Sequence, residues 1–435
     1  MTNPPNNDSG TALIVQPVFA PSKRDSFRTV EDILEEAGGL ARAIGLEVAG
    51  SEIAKIGRIN PATLIGKGTV ERIGDVVEEL RPDVIIVNHS LSPIQQRNLE
   101  KEWNAKVIDR TGLILEIFGA RAQTKEGQIQ VELAALEYQK SRLVKSWTHL
   151  ERQRGGLGKT GGPGETQIEL DRRLITDRIA QLKKQLETVR KTRDLGRKSR
   201  ERVPFPIIAL VGYTNAGKST LFNRLTGADV FAEDLPFATL DPTMRRVKMD
   251  SGQEVIFSDT VGFISELPTH LVASFRATLE QVQYADVILH VRDVSRHDHE
   301  AQRQDVIDVL ADLGIEYESD ERIFEAMNKI DACPADDQEE FRRLAKVEPK
   351  VFAISALRGE GIKEMLTTLE IFLNRHRQSC SYTLPVEEGE ALSWLYRHAE
   401  IVKREDGERD IKIDVRLSAK DKGMFESRYK GVIHG

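Results

Sequence analysis

Gly212-Tyr213-Thr214-Asn215-Ala216-Gly217-Lys218-Ser219, with Thr220 next, brackets four residues between two glycines and ends in a lysine and a serine. That is the spacing of a phosphate-binding loop. Glycines let the backbone wrap closely and turn its N–H groups towards phosphate oxygens. A helix starting at the loop adds the positive end of its dipole. Lys218 is then placed to reach β- and γ-phosphates, and the Ser219 hydroxyl to ligate magnesium. An ordinary glycine-rich turn is the plainer alternative, and the motifs that follow argue against it.

Phe237-Ala238-Thr239-Leu240-Asp241 lies in a long connection after the loop's helix. Such a connection is a candidate switch, ordered when Thr239 reaches magnesium and the γ-phosphate. Thr243 is the rival for that role. Asp259-Thr260-Val261-Gly262 follows an apolar run; Asp259 would hold magnesium through its water shell, and the Gly262 N–H would sense the γ-phosphate. In Asn328-Lys329-Ile330-Asp331, the Asp331 carboxylate can accept the two hydrogens that guanine offers and adenine lacks. Ser355-Ala356-Leu357 would pack over the base. The expected catalytic set is Lys218, Thr239 and Gly262, with Ser219 and Thr239 on Mg2+. Phe263 stands where GTPases of the Ras type carry a glutamine that orients the attacking water. Hydrolysis by the isolated chain should therefore be slow and need a partner. The Asn215 carbonyl could ligate K+ beside the phosphates, or brace the loop through a local hydrogen bond.

These residues need a parallel sheet whose strands end at them. Ile207–Val211, Val255–Phe257, Arg322–Met327 and Val351–Ile354 are apolar runs that each end at a motif, as buried strands do. Residues 204–375 thus read as a nucleotide-binding α/β domain. Residues 11–119 repeat the alternation on a smaller scale: strands at Ala12–Val15, Ile53–Ile56, Val84–Val87 and Lys106–Asp109, helices at Val30–Ile44 and Thr69–Leu80, and a helix opened by Ser92-Pro93. The Ile65–Gly68 turn reads as a plain loop. Residues 1–10 read as a disordered tail, and 376–435 as a small α+β domain with a helix near Ala391–Tyr396 and a hairpin turning near Asp406-Gly407.

Between the two α/β units the period becomes seven. Ile129, Leu136, Leu143 and Leu150 form one seam, with Leu133 and Trp147 between. Ile168, Ile175, Leu182 and Val189 form another, with Ile179 and Leu186 between. The glycine-rich stretch 155–164 separates them and is not expected to be helical. Residues 120–203 therefore read as an antiparallel helical hairpin with a pliable tip. Residues 121–203 carry net charge +9, leaving −16 for the rest of a chain whose total is −7. A basic segment in an acidic chain suits a polyanion. A tip with Lys159, flanked by Arg152, Arg154, Arg172 and Arg173, could contact RNA phosphates, and no duplex-DNA recognition pattern is present. A charged spacer is the plainer reading. The hairpin runs through Lys183–Arg202 into the phosphate-loop strand, a short covalent path from tip to nucleotide.

Two distant cysteines among 435 residues fit a reducing cytosol. The polar N-terminus has no signal-peptide pattern, and no apolar run approaches the ~20 residues of a membrane helix. The chain is expected to be cytoplasmic and monomeric.

In nearly its whole length the chain resembles the HflX family of GTPases. The marks are Leu91–Glu100, Val107–Leu115 and Gly164–Glu169, together with Gly212–Ser219, Phe237–Thr243 and Asp259–Phe263. The resemblance implies a GTPase that binds GTP and GDP, joins the large ribosomal subunit and its RNA near the peptidyl-transferase centre, and can split stalled or stressed ribosomes. It also implies the group with a hydrophobic residue in place of the catalytic glutamine. Two other classes stay open: a protein-partner switch that never touches RNA, and a P-loop kinase or ATPase. The net +9 speaks against the first and Asn328–Asp331 against the second.

Overall fold

Strand and helix alternate from Thr11 to Arg121 as β1 (Thr11–Val18), α1 (Val30–Ala43), β2 (Glu47–Lys55), α2 (Lys67–Leu80), β3 (Val84–Val87), α3 (Pro93–Trp103), β4 (Lys106–Asp109) and α4 (Arg110–Arg121). The computed structural model describes residues 10–19, 28–153, 163–200, 205–227, 236–237, 243–265, 282–375, 377–429 and 433–434. The four strands form a parallel sheet in the order β2-β1-β3-β4. β1 and β3 lie inside it and are buried, which is why they read as apolar runs. β2 is longer than the expected Ile53–Ile56. As an edge strand it buries only Ala54 fully, so most of it leaves no apolar run. α3 starts as its sequence promised: Ser92 and Gln95 form a capping box around Pro93.

Two long helices follow, α5 (Lys125–Gln153) and α6 (Pro163–Arg200). The 29 residues of α5 rise about 43 Å. α6 comes back alongside α5, since residues near the start of α5 meet residues well along α6. Ile129, Leu133, Leu136, Ile175, Ile179, Leu182 and Leu186 pack as the seam. One expectation is corrected: Pro163 and Gly164 were placed in a non-helical tip, yet they begin α6. A proline at the first helical position loses no hydrogen bond, since that N–H has no helical partner anyway. The rest of the tip, with Arg154 and Lys159, lies outside the described residues, as do the side chains of Leu143, Trp147, Leu150, Arg152 and Ile168.

The second α/β unit contains β5 (Ile207–Val211), α7 (Lys218–Thr226), β6 (Thr243–Lys248), β7 (Glu254–Asp259), β8 (Val287–Asp293), α8 (His299–Asp312), β9 (Ile323–Asn328), α9 (Ala335–Val347), β10 (Val351–Ala353) and α10 (Ile362–Asn374). Its sheet runs β10-β9-β8-β5-β7-β6. All pairs are parallel except β6 on β7, an antiparallel edge that the reading as a parallel sheet did not include. Thr243 opens that edge strand opposite Asp259. The chain ends in β11 (Arg377–Pro385), α11 (Gly389–His398), β12 (Glu400–Asp406), β13 (Asp410–Ser418), α12 (Ala419–Arg428) and β14 (Ile433–His434). Its sheet is ordered β12-β13-β11-β14 with antiparallel neighbours.

The two α/β units share one core. Leu113, Ile114 and Phe118 of α4 belong to the same buried cluster as Tyr213, Phe237, Val261, Phe263 and Ile264. Both segments that flank the phosphate loop are thereby seated on the N-terminal unit.

Candidate active site

β5, β7, β9 and β10 point their carboxyl ends to one side of the sheet, the place where open α/β sheets bind ligands. Gly212–Ser219 follows β5. Gly217 adopts φ +90°, and a Cβ there would run into the Asn328 amide. Asn215 is also left-handed, at φ 61°, which asparagine tolerates better than most residues. That backbone demand accounts for the residue type at Asn215 without any cation. Ala216 is fully buried, and its carbonyl accepts from Asn328 Nδ2 at 2.8 Å.

Lys218 is buried, and its ammonium donates to the carbonyls of Gly212 and Tyr213 at 3.0 and 2.7 Å. Burial pulls its pKa down to about 8; Asp259 works against this and Lys329 with it. The Ser219 hydroxyl donates to the Asp259 carboxylate at 2.8 Å. Two oxygen groups so close, beside the lysine, suit a hard divalent cation. Thr220 follows on α7, half-buried. Thr260 is fully buried and donates its hydroxyl to the Leu210 carbonyl at 2.6 Å, fixing the end of β7 to β5. Val261 is buried in the shared core.

Gly262 and Phe263 lie directly against the phosphate loop. The Thr214 N–H donates to the Phe263 carbonyl at 2.7 Å, and the Phe263 N–H to the Gly212 carbonyl at 3.0 Å. A Cβ on Gly262 would sit 2.9 Å from Thr214 Cα and 3.2 Å from Lys218 Nζ, so only glycine fits. The Phe263 side chain is buried in the shared core.

Asn328 ties two loops together: its amide donates to Ala216, and its carbonyl accepts the Ala356 N–H at 2.9 Å. Lys329 is left-handed at φ 64°, with its ammonium 2.8 Å from Asp293. Ile330 is buried below. The Asp331 carboxylate lies 3.7 Å from the Arg358 guanidinium. Ser355 and Ala356 are buried, but Leu357 is 70% exposed. The Leu357 carbonyl accepts from Arg224 of α7, whose Nε also donates to the Ala356 carbonyl at 2.5 Å. Arg224, which the motifs did not mark, thus fixes this loop to the phosphate-loop helix.

Phe237, placed with the nucleotide-binding set from sequence, is buried edge-to-face against Phe118 with ring centroids 4.6 Å apart. Its aromatic bulk serves the shared core. Ala238, Thr239, Leu240 and Asp241 lie outside the described residues.

Four family models match the chain in series. They are GTP-binding GTPase N-terminal over residues 31–119, GTP-binding GTPase Middle Region over 121–200, 50S ribosome-binding GTPase over 207–329, and HflX C-terminal domain over 341–433. The chain is 49% identical to GTPase HflX of Magnetococcus marinus, across 94% of this chain and 92% of that relative. The chain belongs to the HflX family of GTPases. It is also 40% identical to GTPase HflX of Escherichia coli K12, across 95% of both chains. Its arrangement is similar to that in the crystal structure of SsGBP and GDP complex, with 25% identity, a TM-score of 0.48, and coverage of 84% of this chain and 99% of that one. As an HflX-family member the chain is a P-loop GTP hydrolase. GTPases of this fold generally use Mg2+, which the Ser219 and Asp259 oxygens fit. Among the described residues no helix is long and apolar enough to cross a membrane.

Proposed function

We propose that this HflX-family GTPase acts on the large ribosomal subunit, hydrolysing GTP to GDP and phosphate there and splitting or rescuing stalled ribosomes. The observation that carries this is the basic hairpin beside a GTPase site. α6 runs 38 residues, and Arg172 and Arg173 stand exposed towards the end where the tip lies. The family description "50S ribosome-binding GTPase" supports the same reading. The working units are 11–119, the hairpin 120–203, the GTPase domain 204–375 and the C-terminal domain 376–435. The protein works as a monomer in the cytoplasm.

At the site, Gly212–Thr220 wraps the phosphates, and Lys218 neutralises charge on the β- and γ-phosphates as water attacks. Ser219 and Thr239 would hold Mg2+, with Asp259 behind it, and the ion would supply charge neutralisation across the phosphates. The Gly262 N–H contacts the γ-phosphate. Asp331 reads guanine, Asn328 braces the two loops, and Lys329, Ser355 and Ala356 flank the base. Phe263 has no group with which to orient water, so ribosomes raise the rate.

Turnover with and without ribosomes tests this, together with sedimentation in a non-hydrolysable GTP analogue. Ribosomes should stimulate the wild type strongly, and the analogue-bound form should sediment with them more than the GDP form, because binding coupling is reciprocal. Replacing 155–162 with a short Gly-Ser loop should leave basal turnover intact and impair splitting. No stimulation of the wild type would sink the ribosomal reading. Normal splitting by the tip variant would reduce the tip to a spacer.

Asn215 places its exposed side chain at the loop's rim. A K+ ion held there would make hydrolysis faster in potassium than in sodium, and Asn215→Ala would remove the difference. Equal rates in the two salts leave Asn215 explained by its left-handed backbone alone.

A further inference from the structure

Asp109 and Arg110 adjoin at the junction of β4 and α4, and they face different parts of the molecule. Asp109 is almost fully buried. Its carboxylate accepts from the Gly112 N–H at 2.8 Å, the Leu91 N–H at 3.0 Å and the Tyr138 hydroxyl at 2.6 Å, and it lies 3.4 Å from Arg142. Tyr138 and Arg142 are one turn apart on α5, so Asp109 is where the hairpin is seated. Arg142 also donates to Gln96 of α3.

Arg110 is equally buried and turns towards the GTPase unit. One arm of its fork donates to Asn88 at 2.8 Å. The other reaches Glu36 at 2.6 Å and both the carbonyl and the hydroxyl of Ser265 at 3.0 Å. The Ser265 N–H in turn donates to the Tyr213 hydroxyl at 3.0 Å, and that hydroxyl donates to Glu36. Tyr213 belongs to the phosphate loop, but its phenol points away from the phosphates into the N-terminal unit. Burial and the Glu36 charge hold the phenol far above its ordinary pKa, so it stays a donor. Glu36 remains ionised: burial opposes this, and Arg110 and the Tyr213 hydroxyl outweigh it.

We propose that Arg110 is a positioning residue for GTP hydrolysis: its fork sets Ser265, and so Gly262, against the phosphate loop, while Asp109 lets the hairpin shift that setting. The guanidinium is suited to this because its planar donors engage Asn88, Glu36 and Ser265 at once; a lysine ammonium keeps the charge but not the fork. The proposal rests on Gly262 as the γ-phosphate donor.

The test uses the full chain without ribosomes. It reads the affinity for a non-hydrolysable GTP analogue, the affinity for GDP, and single-turnover hydrolysis, with melting curves confirming folded protein. Arg110→Lys and Tyr213→Phe should each lower the ratio of analogue to GDP affinity roughly three- to tenfold and slow hydrolysis similarly. Their combination should fall short of the product of the two, because both act on Ser265. Tyr138→Phe, on the hairpin, should move the same ratio in the same direction, again non-additively with Arg110→Lys. A merely structural role would lower melting temperature without moving the ratio. Wild-type ratios in Arg110→Lys and Tyr213→Phe, with a lowered ratio in Gly262→Ala, would overturn the relay alone. A wild-type ratio in Gly262→Ala would remove the donor role of Gly262 and the relay with it. A ratio moved by Arg110→Lys but not by Tyr138→Phe would overturn the link to the hairpin.

Discussion

Asp331→Asn should lose between about 10- and 10⁴-fold in GTP affinity and turn the site towards xanthine nucleotides. A carboxylate can accept from both guanine N1–H and the exocyclic amine. An asparagine can accept only one of these and presents an N–H₂ to the other, leaving a buried donor facing a donor. Xanthine has a carbonyl where guanine has its amine, and the asparagine N–H₂ can donate to it. The fold gives little reason for a stability loss. Asp331 sits in the turn after β9, and its ion pair is with Arg358, which is 65% exposed, at 3.7 Å. Such a pair contributes at most about 1 kcal/mol. Titration with GDP and xanthosine diphosphate reads the result directly. Unchanged guanine-nucleotide affinity would remove Asp331 from the base site.

Lys218→Ala should lose at least about 10²-fold in hydrolysis, the usual scale for deleting one preorganised charge from a transition state, while the melting temperature changes little. The second half is the sharper. An unfolded lysine titrates near 10.5, and burial lowers Lys218 to about 8. A depressed lysine pKa means that the folded state disfavours the ammonium. That penalty is fully present below pH 8 and fades as pH rises towards 10.5. It is on the order of 3 kcal/mol at neutral pH, by the value of 1.4 kcal/mol per pKa unit. Hydrogen bonds to the carbonyls of Gly212 and Tyr213, at about 1.5–3 kcal/mol each for a charged donor, are together at least as large and offset it. Alanine removes both the penalty and the bonds. Wild-type turnover, or a large drop in melting temperature at pH 7, would contradict the role given to Lys218.

How far the sequence could be read depends on how local each feature is. The phosphate loop, Asp259–Gly262 and Asn328–Asp331 each lie within a few residues, and each follows a strand whose burial makes it an apolar run. Strand-end position, spacing and residue type together make them legible. The hairpin seam was legible for the same reason, since Ile129, Leu133 and Leu136 repeat at helical spacing and meet Ile179, Leu182 and Leu186. β2 was caught only at its end, because an edge strand with alternating exposure has no run to find.

By itself the sequence determined that this chain is a P-loop GTP hydrolase with a basic two-helix arm, because the marks of both reside in short segments whose backbone is set by their own glycines, caps and periodicity. Only the tertiary structure decided what the remaining side chains of those segments touch. Tyr213 meets Glu36 across 177 residues of chain, and Arg110 meets Ser265 across 155. Phe237 meets Phe118 of the N-terminal unit, in the cluster that also holds Tyr213 and Phe263. No spacing encodes such pairs: they form because the apolar faces of two α/β units close on one core, and the buried polar groups caught in the closure must find partners there.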